Sequence, residues 1–131
     1  MRDIVLIAPQ SYNFESIQKA LPKQVQVIFD NSGNRLVVKW DERKAFVEFE
    51  LDNTVSDYYD EPEDVDRISH LGECPRFFLV HFKDIEDLKF VIKSVANRSD
   101  VLIDNDFGLI EAGNEFVRRC EESPGWDWVK S

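Results

Sequence analysis

The chain has 131 residues, 43% of them hydrophobic and 12% aromatic, enough for one ordinary core, so residues 1–131 are expected as a single domain. Its longest apolar runs, Ile4 to Pro9 and Phe77 to Val80, fall far short of the ~20 residues that span a bilayer. The start, Met1-Arg2-Asp3 and six apolar residues, lacks the features of an export signal, so a cytoplasmic protein is expected, and a net charge of −10 sets nucleic acid and anionic membrane aside as partners.

Ile4 to Ala8 is a continuous apolar run with β-branched residues, ended by Pro9, and reads as a buried strand. Ser11 or Asn13 caps a short helix whose Phe14, Ile17 and Leu21 share a face, and Pro22 stops it. Val25, Val27 and Phe29 mark a second strand. Asn31-Ser32-Gly33-Asn34 is a hairpin turn, because Asn and Gly tolerate positive φ. Arg35 to Trp40 follows as a third strand and Asp41 to Lys44 as a second turn. Val47, Phe49 and Leu51 then alternate with Glu48 and Glu50, which places one face in the core and an acidic face in water.

From Asp52 to Pro75 the periodicity disappears, and an acidic loop is expected, with a short helical turn around Glu63 to Leu71 because Pro62 suits a first helical position. Arg76 to Phe82 is the fifth strand. Asp84 caps the strongest helix, with Ile85, Leu88, Ile92, Val95 and Ala96 on one side. Val101 to Asp104 is a short sixth strand. Gly113 or Asn114 opens a last helix carrying Phe116, Val117 and Cys120, ended by Pro124-Gly125. The order predicts an α+β domain of two layers, with a mostly antiparallel or mixed sheet of about six strands and two to three helices. A ferredoxin-like arrangement with an inserted hairpin is the nearest named topology.

The charge is unevenly placed. Between Glu48 and Asp66 stand nine acids and no base, while the other 112 residues carry seventeen acids and sixteen bases. Such a stretch attracts cationic partners. Its carboxylates Asp57, Asp60, Glu61, Glu63, Asp64 and Asp66 would steer a basic protein, and Tyr58 and Tyr59 would supply contact area with a polar tip. The competing reading is a solvated surface loop. Trp126 and Trp128 are a second candidate: two tryptophans are costly to leave in water, so they either dock as a tail on the core or form a partner or homodimer interface, in which case the chain is a structural or regulatory subunit using its Trp126-Asp127-Trp128 tail.

Chemistry-bearing motifs are few. Asp104-Asn105-Asp106 with Glu115 imitates a calcium loop, but Gly108 falls fifth where the glycine should be sixth, and a strand end with a tight turn explains the residues better. Asp106-Phe107-Gly108 spells a kinase magnesium triplet without the other kinase parts, and Asp30 with Glu42-x-Lys44 imitates nuclease spacing in a turn. His70, Cys74, His81 and Cys120 are too scattered for a structural zinc site, His81 lies opposite Phe78, Val80 and Phe82, and Cys74 and Cys120 are expected as reduced thiols. No cofactor or metal is expected. The one enzymatic alternative is a small metal-dependent hydrolase built on Asp104, Asp106 and Glu111.

In general character the chain resembles the immunity proteins that bacteria make against secreted toxins. The resemblance rests on an acidic α+β domain without a catalytic constellation, and on a tail running from Asp104-Asn105-Asp106-Phe107-Gly108 through Glu115-Phe116 to Pro124-Gly125-Trp126-Asp127-Trp128. It implies occlusion of a partner toxin, often a cationic nuclease, and carries over no particular functional residue.

Overall fold

The computed structural model describes residues 2–30, 34–40, 46–106 and 108–128. Seven strands form one sheet: β1 (Arg2–Ala8), β2 (Gln26–Asp30), β3 (Arg35–Lys39), β4 (Phe46–Leu51), β5 (Arg76–Phe82), β6 (Leu102–Asp104) and β7 (Ile110–Ala112). Their spatial order is β2-β3-β4-β5-β1-β6-β7, and each of the six pairings is antiparallel. The α+β architecture expected from the sequence is therefore present, with one more strand and more helices than the two to three expected. Four α-helices accompany it: α1 (Phe14–Ala20), α2 (Pro62–Ser69), α3 (Ile85–Val95) and α4 (Gly113–Glu122). A 3-10 helix spans Asn53–Tyr58. The expected turns at 31–34 and 41–44 lie largely or wholly outside the described residues, as does the Glu42-x-Lys44 pair.

β5 and β6 both run antiparallel to β1, so they are parallel to each other, and α3 connects them: a split βαβ unit. With β1, α1 and β4 this gives the β-α-β-β-α-β order, the β2–β3 hairpin standing outside β4.

Strand alternation divides the side chains between the two faces. Ile4, Leu6, Val38, Val47, Phe49, Phe78, Val80, Phe82 and Ile103 pack in one cluster with Ile17 of α1, Leu88, Val91, Ile92 and Val95 of α3, and Phe116 and Val117 of α4. The intervening residues Val5, Ile7, Phe77 and Leu102 form a second cluster with Val55 and Ile68, flanked by Tyr59, Leu71, Leu79 and Ile110. Near its centre the sheet is thus buried on both sides, which is why β1 reads as an unbroken apolar run.

The second cluster settles residues 52–75. Expected as a loop, they carry the 3-10 helix and α2, the latter close to where Pro62 suggested a helical turn. Asp52 caps the 3-10 helix by accepting from the Thr54 N–H (3.1 Å). The Asp52 N–H donates to the Phe77 carbonyl (2.9 Å) and the Phe77 N–H to Asn53 Oδ1 (3.1 Å), which prolongs the β4–β5 ladder. α2 has Pro62 at its start, Glu63 and Asp64 in its first turn and Arg67 in its last, an order the helix dipole favours. The Arg67 guanidinium donates to the Ile110 carbonyl and ties α2 to β7. Four apolar residues hidden among the acids, Val55, Tyr59, Ile68 and Leu71, bind the segment to the sheet.

Candidate functional site

Where the segment 53–69 meets the β6–β7 turn, the surface opens into a cleft of about 830 Å³. Val5 and Leu79 supply its apolar lining from β1 and β5, and Val55 adds to it from the 3-10 helix. Carboxylates come from four places in the chain: Asp3 on β1, Asp52 ahead of the 3-10 helix, Glu63 and Asp64 on α2, and Asp104 and Asp106 at the end of β6. Arg67 is the one basic residue lining it among the described residues.

The β6–β7 turn is shaped by its own side chains. Asp106 sits in the left-handed region (φ 65°), and its N–H donates to Asp104 Oδ1 (2.8 Å). Across the turn, Asn105 N–H donates to the Leu109 carbonyl (3.0 Å) and Leu109 N–H to Asn105 Oδ1 (3.2 Å). The other Asp104 oxygen, Oδ2, accepts from the Tyr59 hydroxyl (2.6 Å), while the Tyr59 ring stacks on Phe77 at 5.8 Å. Burial, the bond to Asp104 and the neighbouring carboxylates all hold the Tyr59 phenol well above its ordinary value. Burial and then the charges of Asp104 and Asp3 hold the Asp106 carboxyl above the usual carboxylate range. Chemically, an apolar floor with carboxylates above it suits an aliphatic stem that ends in a cation.

The acidic candidates divide by position. Asp57, Asp60, Glu61, Glu63 and Asp66 are exposed, and Asp64 is half-buried at the cleft. Tyr58 is 81% exposed. Tyr59, its neighbour in sequence, is taken up by Phe77 and Asp104. The two tryptophans are likewise occupied inside the molecule. Trp128 is 2% exposed and packs against Phe116 (5.3 Å) and Phe82 (6.5 Å); Trp126 lies against Phe116 (5.6 Å) and Trp128 (5.0 Å). Lys89 holds the tail by donating to the Trp126 carbonyl (2.6 Å), and Arg2 reaches Asp127 (3.8 Å). The tail is docked on the core.

Of the hydrolase candidates, Asp104 and Asp106 share the cleft, while Glu111 does not line it. Glu111 receives Arg119 through two bonds of 2.9 and 3.0 Å, and Glu115 pairs with Arg118. The potential zinc residues stand apart: His70 and Cys74 are exposed beyond α2, Cys120 is on α4, and no metal-holding group of His, Cys, Asp or Glu occurs among the described residues. His81 lies on the face opposite Phe78, Val80 and Phe82, as its position in β5 implied. It stands between Asp3 (3.6 Å) and Glu50 (3.1 Å).

Asp3, Asp52 and Arg67 are parts of the cleft that the sequence reading did not single out. Asp3 could have been found, since it stands two residues before Val5 on a strand and so shares its face. No protein-family model, no curated protein and no solved structure matches the chain. Among the described residues no helix is long and apolar enough to cross a membrane.

Proposed function

We propose that this chain is a non-enzymatic binding protein that takes a basic protein partner on its acidic face, and that the partner is a toxin which the chain neutralises by occlusion. The observation that carries the reading is the convergence of carboxylates from distant segments, Asp3, Glu63, Asp64, Asp104 and Asp106, around one cleft. A lysine or arginine of the partner would lay its stem on Val5, Leu79 and Val55 and its charge among these acids. Asp57, Asp60, Glu61 and Asp66, exposed outside the cleft, would steer the approach, and Tyr58 would be covered on contact. Tyr59, Trp126 and Trp128 would act only by holding the surface in shape.

The test uses two baits, the wild-type chain and the triple variant Asp60→Lys, Glu61→Lys, Asp64→Lys, against lysate of the source cell at low and high salt. A basic protein recovered on the wild type, lost at high salt and absent from the variant supports the reading. With that protein purified, its association with the variant should be roughly tenfold slower or more, and one equivalent of the wild type should abolish its activity. Equal recovery on both baits, or association rates that do not change with salt, would overturn it.

A further inference from the structure

Among the described residues the sheet ends on one side at β7, three residues long, and on the other at β2, whose five residues Gln26–Asp30 have a strand neighbour only in β3. Which backbone groups of β2 point outward follows from the ladder. The Leu51 N–H donates to the Asn34 carbonyl (2.9 Å), one pair beyond the Arg35↔Glu50 register of β3 and β4. Hydrogen-bonded pairs alternate along an antiparallel ladder, so Leu36 and Val38 turn their backbone groups toward β4, and Arg35, Val37 and Lys39 turn theirs toward β2. Their partners on β2 are Asp30, Ile28 and Gln26. Val27 and Phe29 therefore direct N–H and C=O away from the sheet. The next outward residue, Val25, already gives its N–H to the Pro22 carbonyl (3.4 Å).

Exposed edges of this kind are usually guarded by lysine, proline, a bulge or an inward charge. β2 has no lysine, proline or bulge, and its one charge, Asp30, stands at its end. It shows instead a large apolar side chain on each face, Ile28 at 42% and Phe29 at 46% exposure. Phe29 leans on Phe14 of α1 (5.3 Å) and remains nearly half exposed.

We propose that β2 is a self-association edge, on which the β2 strand of a second copy of this chain pairs antiparallel about a two-fold axis at Ile28. The sequence Gln26-Val27-Ile28-Phe29-Asp30 is self-complementary in that register. Val27 meets Phe29 of the second copy and Phe29 meets its Val27. Those are the residues whose backbone groups point outward, so four N–H···O bonds close. Ile28 faces its own counterpart across a close, non-hydrogen-bonded pair on the sheet's open face. Asp30 falls opposite Gln26 rather than opposite Asp30. Registers centred one residue either way lose this match: centring on Phe29 sets Asp30 against Ile28, and centring on Val27 calls on the Val25 N–H that is already used.

Charge does no more than oppose pairing less at this edge than at the acidic end, because Lys19 is paired with Glu15 and Arg35 with Glu48 and Glu50. Two copies of a −10 chain repel, but residues 19–40 carry four bases (Lys19, Lys23, Arg35, Lys39) against one acid (Asp30). The acids that follow β4, from Asp52 to Asp66, belong to the segment packed over β5, β1, β6 and β7, toward the opposite end of the sheet, and Glu48 and Glu50 on β4 are met by Arg35. Copies joined at β2 hold their acidic ends apart and leave the cleft open, so the pairing is independent of the binding reading above. An isologous contact of this type closes at the dimer.

Light scattering and sedimentation of the full chain over a concentration series test the proposal. The wild type should reach twice 15.3 kDa and fall to 15.3 kDa on dilution. Ile28→Lys, which sets two ammonium groups against each other at the axis, should stay at 15.3 kDa at concentrations where the wild type is paired. So should Val27→Pro, which removes an outward N–H and no bond to β3. Amide exchange of the wild type reads the same edge without a variant: the Val27 and Phe29 amides should slow as concentration rises, while that of Ile28, bonded to β3, should not change. A wild type that is monomeric throughout, a dimer that persists in both variants, or Val27 and Phe29 exchange independent of concentration would each overturn it.

Discussion

Tyr59 shows how one hydroxyl joins a binding surface to a fold. Its ring lies on Phe77, and its O–H is the bond between the 3-10 helix segment and the β6–β7 turn. Without that donor, Asp104 would face Asp106 and Asp3 with one fewer compensating contact. Tyr59→Phe keeps the stacking and is expected to cost about 1–2 kcal/mol, measured by urea unfolding. A second phenol, Tyr12, donates to the Val95 carbonyl (2.5 Å), and burial pushes it up to about 12. Both tyrosines are raised in the folded chain above the ordinary value of 10.0. Above that pH the unfolded chain has released the two protons while the folded chain keeps them. Stability is therefore whole below pH 10 and falls as pH rises from there through the folded values. Tyr12→Phe should give a lower plateau below pH 10 and a shallower alkaline decline; a decline unchanged in both Tyr12→Phe and Tyr59→Phe would show that other groups set it.

At the scale of elements, α4 depends on a close approach at its first residue. Gly113 N–H donates to the Val101 carbonyl (2.9 Å), and a Cβ at Gly113 would stand 2.0 Å from the Ala96 carbonyl oxygen and 2.6 Å from Val101 Cγ2. The first of these is backbone and cannot swing aside. Gly113→Ala should cost about 3 kcal/mol by forcing α4 off the end of α3, a loss that thermal unfolding would register and that an equal melting temperature would refute. Sequence reading reached α4, α3 and β4 because each repeats an apolar residue at its own period, and β1 and β5 because they are nearly unbroken apolar runs of strand length. It missed β7, since Ile110–Ala112 is three residues between a turn and a helix start, too short for any period. It missed the 3-10 helix because Asn53–Tyr58 offers the core only Val55. The acidic stretch was visible as charge, but its docking was not. That docking rests on Val55, Tyr59, Ile68 and Leu71, two isolated pairs four and three residues apart, too few to mark a helix from sequence and making sense only against Val5, Ile7 and Phe77. Likewise the cleft joins Asp3 to Asp104 and Asp106, about a hundred residues apart, and no local pattern announces such a meeting.

For the whole molecule the question is which set of charges governs stability. Folding brings Asp3, Asp104 and Asp106 up to Glu63 and Asp64, so it concentrates like charges that the unfolded chain keeps apart. Against this stand surface ion pairs such as Lys19–Glu15 (3.0 Å) and Arg98–Asp100 (2.6 Å). Exposed pairs of that kind contribute ~0–1 kcal/mol each and are screened by the same salt. The pairs are scattered and largely exposed, whereas the repelling carboxylates share one cleft and nine acids without a base run from Glu48 to Asp66. Repulsion should therefore win, and screening should stabilise the fold. Raising salt from ~0.01 to ~0.15 M shortens the Debye length from about 30 to about 8 Å, the scale of the cleft. The expected gain is about 1 kcal/mol, a rise in Tm of about 4 °C, followed by calorimetry. The triple variant Asp60→Lys, Glu61→Lys, Asp64→Lys should melt higher than the wild type at low salt and gain less from added salt, because its lysines relieve the repulsion that the salt screens. A Tm that falls with salt in the wild type would mean that the ion pairs outweigh the cleft, and that folding concentrates less negative charge than its geometry implies.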